Sequence, residues 1–343
     1  MKRFAPLDIL RGLTVLLMII VNHPGSWSHI YPVLEHSAWD GVTLADLVFP
    51  TFVFCCGMAM AFSLAKFDGL GGKALAKILR RGALLILIGV VVHAFPFNGW
   101  EHVRIPGVLQ RIGLCYVLGG VLILGLKKPA RLWVSFGLML VAYTAALLLF
   151  GEQGAQLTLE GNVTSRIDIA LFGADHIYHG YGTAFDPEGL LGTLPATCTL
   201  LLGWFAGQEV KKGCEWWKVL VAGAAALAAG LLVSVWIPLN KPLWSASYVF
   251  YCAGWSGIIL GLIMLLTGKG RVKAFTPAVA FGSNALFAYV LSELLGSVPG
   301  MLGFHHEAVC DTPAKSLVYA ILFTSVFFVL NLVLYKKKVF IKI

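Results

Sequence analysis

The chain has 343 residues, of which 58% are hydrophobic and only 13% charged. Its mean hydropathy of +0.82 excludes a soluble globular domain, in which roughly a quarter of residues carry charge. A formal net charge of +9 invites a nucleic-acid reading, but the placement of that charge along the chain excludes it.

A membrane-spanning helix needs about 20 apolar residues to cross roughly 30 Å of hydrocarbon, and such runs recur from end to end. The expected fold is an all-α polytopic membrane protein with about ten transmembrane helices. They fall at about 8–23, 44–65, 79–95, 107–126, 132–150, 189–208, 219–237, 248–267, 275–294 and 315–335. Basic residues gather on alternate connections: Lys2 and Arg3, then Lys66 to Arg81, Lys127 to Arg131, Lys211 to Lys218, Lys269 to Lys273, and Lys336 to Lys338. The other connections keep only Arg104, Arg166, Lys241 and Lys315. By the positive-inside rule both termini are cytoplasmic, and the basic charge reports topology. The opening MKRFAPLDILRG begins like a signal peptide, but Asp8 and Arg11 interrupt it and no small-x-small site follows, so the first span is expected to be retained. Only Cys310 among the cysteines falls outside, so no structural disulfide is expected, and Cys55-Cys56 reads as packing.

In chain order, Asp8 and Arg11 sit three apart and share a helix face as an interfacial ion pair. Asn22-His23-Pro24 ends the first span. From Asn22 to Gly57 the chain then concentrates Asn22, His23, His29, Glu35, His36, Asp40 and Asp46 beside Trp27 and Trp39. Ionisable groups this dense at membrane depth mark a site, and His36 is its expected chemical centre. Thr43-x-x-Asp46 before an apolar run is a capping box, so Asp46 is both cap and site candidate. Pro50 lacks the N–H that would bond the Asp46 carbonyl, and a kink or opened turn is expected there. The glycine-rich loop from Lys66 to Leu79 has no following GK[ST], so it reads as an inner connection rather than a phosphate cradle. His93 reads as an interfacial core histidine.

Arg104 and Arg111 open the fourth span seven residues apart, on one face with about 10 Å of rise between them. Arg111 is too deep for a simple anchor and needs an anion, either Asp46 or Glu293 or a ligand phosphate. The long segment 151–188 carries Asp168, Asp175, His176, His179 and Asp186, with Glu188 at the mouth of span six. Asp186 and Glu188 are site candidates. His176-x-x-His179 lacks a third ligand at a recognised spacing, so no metal is expected. Lys241 is one of few outer cations, and nearby Trp244 and Tyr248 suit either a membrane belt or a site. Asn284 and Glu293, nine apart in span nine, share a side by helical phase. His305-His306-Glu307 reads as a solvated loop. No inverted repeat of the transporter kind is seen.

Four blocks now stand together: His36-x-x-Trp39-x-Gly41-x-Thr43-x-x-Asp46-Leu47-Val48-Phe49-Pro50, Arg104-IPGVL-Gln110-Arg111, Asp186-P-Glu188-G-x-LGT and Asn240-Lys241-x-Leu-Trp244-Ser245-x-Ser-Tyr248. In this order they resemble the heparan-α-glucosaminide N-acetyltransferase family of transmembrane acyltransferases. The resemblance covers most of the chain, and 1–343 is read as a single transmembrane acyltransferase domain. It implies acetyl transfer from cytosolic acetyl-CoA to a glucosamine-type amino sugar or related glycan on the far side. The family's active-site histidine falls on His36, and the asparagine near it on Asn22. The chain resembles a bacterial inner-membrane relative, multi-pass and suggested by the resemblance to be a homodimer among membrane lipid.

On this reading His36 is a general base or an acetyl carrier, Asp46 or Glu35 orients its ring, and Asn22 donates to the thioester oxygen. Arg104, Arg111 and Lys241 are candidates for CoA phosphates or an anionic acceptor. Trp39, Gln110, Asp186, Glu188, Asn240, Trp244, Ser245, Tyr248, Asn284 and Glu293 complete the expected substrate-binding set. The rival reading is a proton-coupled secondary transporter of an amino sugar or organic anion, which Arg111, Glu293 and broken helices would also suit.

Overall fold

The structure, a computed structural model, describes residues 4–268, 270–303 and 306–341. Lys2, Arg3, Lys269 and His305, counted above, lie outside the described residues. Among those described the chain is all-α: α1 (Ala5–Asn22), α2 (Leu44–Ser63), α3 (Gly72–His93), α4 (Val108–Leu126), α5 (Pro129–Phe150), α6 (Val163–Phe172) and α7 (Thr193–Lys211). Then follow α8 (Trp216–Val233), α9 (Ala246–Thr267), α10 (Thr276–Ser283), α11 (Ala285–Gly296), α12 (Val298–Met301) and α13 (Pro313–Lys336). An isolated antiparallel bridge joins Asp40 to Asn240.

Every expected span coincides with helix, but not all ten meet the demands of a membrane. Among the described residues, seven helices (α1, α2, α4, α5, α8, α9 and α13) are long and apolar enough to cross one. The run Arg271–Ser283 with Ala285–Met301, bent by 60°, makes an eighth if taken as one span. The two that fall short do so by composition: α3 carries Lys73, Lys77, Arg80 and Arg81 in its first half, and α7 mixes threonines with Gln208 and Glu209.

Contrary to expectation, Asn284 and Glu293 do not share a helical face: Asn284 is the N-cap of α11, and nine residues at about 100° each put Glu293 half a turn away. The helix before it stops at Ser283 and restarts at Ala285. Arg11, paired with Asp8 at 2.7 Å as expected, donates to the Gly282 carbonyl at the break (2.7 Å). Asn284 turns to the C-terminal segment, donating to Val339 O (3.1 Å) and accepting the Ile341 N–H (2.8 Å). Local helix-breaking residues and these distant caps together fix the break.

Helix α2 is the centre of the bundle, packed on α7, α1 and α9. It crosses α7 at close range because Gly57 faces the Leu200 carbonyl and Gly203 faces the Phe54 carbonyl, where a Cβ would meet backbone. Helix α2 continues through Pro50, where a kink or opened turn is expected. The Asp46 carbonyl, denied its helical donor, instead accepts the Tyr248 hydroxyl from α9. A buried carbonyl needs a partner, and a neighbouring helix supplies it.

Two predictions follow from this packing. Tyr248→Phe strands the Asp46 carbonyl, so the melting temperature in detergent should fall with a loss of about 1–3 kcal/mol. Asp168, buried on α6, accepts the Leu190 N–H at 2.9 Å through Oδ1, while Oδ2 has no hydrogen-bond partner among the described residues. Burial pushes its carboxyl up to about 6, against the Leu190 hydrogen bond. Such a group favours folding fully below its unfolded value of about 3.9, and the benefit is lost as pH rises through about 6. Asp168→Asn should therefore melt above the parent at about pH 8, with the gap closing towards pH 4.

Candidate active site

The polar stretch after α1 folds as an irregular loop over residues 23–43, and the start of α2 gathers it. Asp46 lies in the first turn of that helix, where the terminal N–H groups favour a negative charge. Its Oδ2 accepts the N–H of Thr43 (3.0 Å), one arm of the capping box, and the N–H of Ser37 (3.1 Å). Its Oδ1 faces His36 Nδ1 at 2.8 Å and Lys241 Nζ at 3.4 Å. One carboxylate therefore both caps α2 and pairs with His36. Its side chain is 1% exposed, whereas that of His36 is 39% exposed, so the imidazole is held from below and open above.

Lys241 arrives from a loop some two hundred residues away, stitched onto the His36 segment. Asn240 bonds Trp39 O (3.2 Å) and Asp40 Oδ1 (3.1 Å) through Nδ2, and its Oδ1 accepts the Leu243 N–H (2.7 Å). Gly41, at φ +104°, donates its N–H to Leu239 O (2.7 Å), and only glycine takes that turn without strain. Ser245 accepts the Asn240 N–H, donates to Pro238 O and caps α9 at Tyr248 N–H. Trp39 donates to Leu157 O (2.8 Å) and packs edge-on against Phe185 and Tyr181. Asn240, Ser245 and Trp39 thus build the frame of the site. The Lys241 amine sits 3.0 Å from Nδ1 and 3.2 Å from Nε2 of His36. Burial pushes the amine below the usual lysine value, opposed by the charges of Asp46 and Glu188.

Trp244 and Tyr248 are buried, which removes the membrane-belt alternative. Trp244 packs edge-on against Phe49 and Tyr248 and donates to Thr199 Oγ1 (3.1 Å). The Arg111 guanidinium lies over its ring, 5.3 Å from the centroid. Arg111 reaches neither Asp46 nor Glu293; its Nη2 donates to Gly189 O at 2.7 Å, so a carbonyl and a π face take the place of the expected carboxylate. Gln110 holds the turn before α4 through Ile105 O (2.9 Å).

Arg104 forms a second cluster. It grips Asp186 with Nε (2.8 Å) and Nη2 (2.6 Å), and Nη2 also meets Glu188 Oε2 (2.6 Å). Tyr178 lies under the guanidinium, at 4.8 Å. Burial alone would raise the Asp186 carboxyl, but the Arg104 hydrogen bonds outweigh it and hold it below the usual range. The same pair of carboxylates raises Arg104 further. This arginine is bound internally. Asn22 is likewise engaged elsewhere, donating to Glu293 Oε1 (3.1 Å) beside His23. His36, Asp46 and Lys241 therefore come together, while Asn22, Glu293 and Asn284 belong to other contacts.

Ser37 and Glu188 enter the site in roles the residue patterns did not single out. The Ser37 N–H completes the Asp46 cradle, and Glu188 both meets Arg104 and adds to the field on Lys241.

The comparisons with known proteins fit this geometry. A sequence model described as heparan-alpha-glucosaminide N-acetyltransferase, catalytic, matches residues 3–166, the part that contributes His36 and Asp46. The mouse heparan-alpha-glucosaminide N-acetyltransferase is 31% identical over 405 aligned positions, covering 100% of this chain and 61% of its own. The human protein of the same name is 29% identical, covering 99% and 60%. The chain thus spans about three fifths of the length of these relatives. The similarity runs through every block that builds the site, and the chain belongs to the heparan-α-glucosaminide N-acetyltransferase family.

Proposed function

We propose that the protein is a transmembrane acetyltransferase that takes acetyl from acetyl-CoA and passes it to an amino sugar or related glycan, with His36 at the centre of transfer. The observation that carries this reading is the His36–Asp46 pair: an imidazole open on one side, its Nδ1 2.8 Å from a buried carboxylate. Asp46 holds the tautomer with the proton on Nδ1, leaving Nε2 as the reacting atom. A positive charge developing on the ring is met by that carboxylate, as in a triad. Nε2 then either takes the proton of the attacking amine or carries the acetyl group itself.

The whole of 1–343 forms one acyltransferase domain with both termini in the cytoplasm, in a bacterial inner membrane, and the acceptor side is periplasmic. The distribution of basic residues supports that orientation. A cavity of about 220 Å³ supports donor entry from the cytoplasmic end. It is lined by Phe67, Asp68, Lys127, Trp204 and Gln208 near the far end of α2. From Asp46 to Ala61, which also lines it, the helix rises about 22 Å.

The test is acetyl-CoA turnover by purified protein with glucosamine as acceptor. His36→Ala should lower it by about 10³-fold or more, and Asp46→Asn by about 10²–10⁴-fold, in proteins that still fold. Full activity in His36→Ala would sink the assignment. Radiolabelled acetyl retained on His36 without acceptor marks the carrier route; its absence marks direct transfer.

A further inference from the structure

Lys241 bears on His36 in a way that proximity alone does not convey. Its Nζ is 3.0 Å from Nδ1 and 3.2 Å from Nε2. The two nitrogens flank one ring carbon, so an amine nearly equidistant from both at this range would collide with that carbon if it lay in the ring plane. It therefore lies over the face of the imidazole, a favourable place for a cation. Asp46 Oδ1, 3.4 Å away, anchors it there. With Nδ1 directed at Asp46, the in-plane lone pair of Nε2 is left clear of the amine.

We propose that the Lys241 ammonium is the oxyanion donor for acyl transfer at His36, hydrogen-bonding the carbonyl oxygen of a thioester as that oxygen gains negative charge. The proposal rests on the reading of His36 as the centre of transfer. As a nucleophile adds to the thioester carbon beside Nε2, the carbonyl π pair moves onto oxygen. The carbon becomes tetrahedral, so this oxygen can project over the ring face, towards Nζ. If Nε2 itself attacks, a C–N bond forms, the oxyanion collapses, the C–S bond breaks and the thiolate leaves with the electron pair. The Nδ1 proton stays against Asp46. If an acceptor amine attacks, its own N–C bond forms, its proton passes to Nε2, and the expelled thiolate takes up that proton. The same oxygen gains charge either way, so one donor serves both routes.

Among the other candidates, Arg104 is committed to Asp186 and Glu188 and Asn22 to Glu293, while Arg111 is buried against the Trp244 ring with its Nη2 on Gly189 O. The groups facing Lys241 are His36 beneath it, Asp46 on α2, Glu188 on the loop before α7 and the Cys252 thiol on α9. Only the protonated amine can act. Because burial lowers its pKa, transfer should decline with rising pH earlier than an ordinary lysine near 10.4 would allow.

The experiment compares two modifications of His36 in the full-length protein in detergent, read by mass spectrometry of the His36 peptide. Diethyl pyrocarbonate acylates through an oxyanion, whereas methyl p-nitrobenzenesulfonate methylates without one. Lys241→Met and Lys241→Gln should slow acylation by about 10²-fold and leave methylation unchanged. Lys241→Arg should recover much of the rate and abolish the alkaline decline, because guanidinium stays charged. Equal slowing of both reactions would reduce Lys241 to a support for the ring and overturn the proposal, as would no change in either. Neither reagent needs acetyl-CoA or an acceptor. A parent protein that transfers no acetyl would therefore refute the proposed function without touching this result.

Discussion

One buried carboxylate holds the site together. Asp46 joins three segments that the chain keeps far apart: the loop carrying His36, the amino end of α2, and the loop carrying Lys241. A charge this enclosed is costly unless each oxygen is met by donors. Two backbone N–H groups, an imidazole and an ammonium meet it here. The carboxylate that begins a helix is thus also the partner of the histidine, so a change at this position alters the helix start and the histidine contact together.

The arrangement also explains why α2 contains a proline near its active end. Pro50 frees the Asp46 carbonyl, and the Tyr248 hydroxyl claims it. The same residue is therefore fixed through its side chain to one loop and through its backbone to α9. Trp244, packed on both Phe49 and Tyr248, fills the remaining space, and Arg111 covers its other approach. Such a site loses little freedom on binding substrate because its members are already bound to one another.

What the residue patterns conveyed and what they did not divides along sequence separation. The long apolar runs, the Asp8–Arg11 pair and the capping box are short-range features, and each is present where its spacing placed it. The join of His36 to Asp46 spans ten residues and was within reach of the same reasoning. The partners of the arginines were not. Arg104 meets Asp186 across 82 positions and Arg111 meets Gly189 across 78, whereas charge counting pointed Arg111 to Asp46, Glu293 or a ligand phosphate and Arg104 to a ligand anion. The break at Asn284 was hidden for a similar reason. Gly282-Ser283-Asn284 is only weakly unfavourable to helix by itself, and the interruption is completed by Arg11, 271 residues earlier, and by the C-terminal segment.

Three cations stand near the candidate site, and their separate fates bear on how the fold assigns roles. Two carboxylates and a tyrosine ring enclose Arg104, leaving its charge balanced internally. Arg111 is buried against a carbonyl and an indole, where a delocalised, weakly hydrated cation is at less cost than an ammonium would be. Lys241 alone is set beside an open imidazole, and a lysine suits that place for the opposite reason. Its compact charge presents three donors on a flexible stem, which can turn to a new acceptor while the contact with Asp46 is kept. Burial weakens its hold on the proton, and Asp46 restores part of that hold. The amine is thereby held beside a carboxylate but poorly solvated, the condition in which a hydrogen bond from its charged form to a developing oxyanion contributes most.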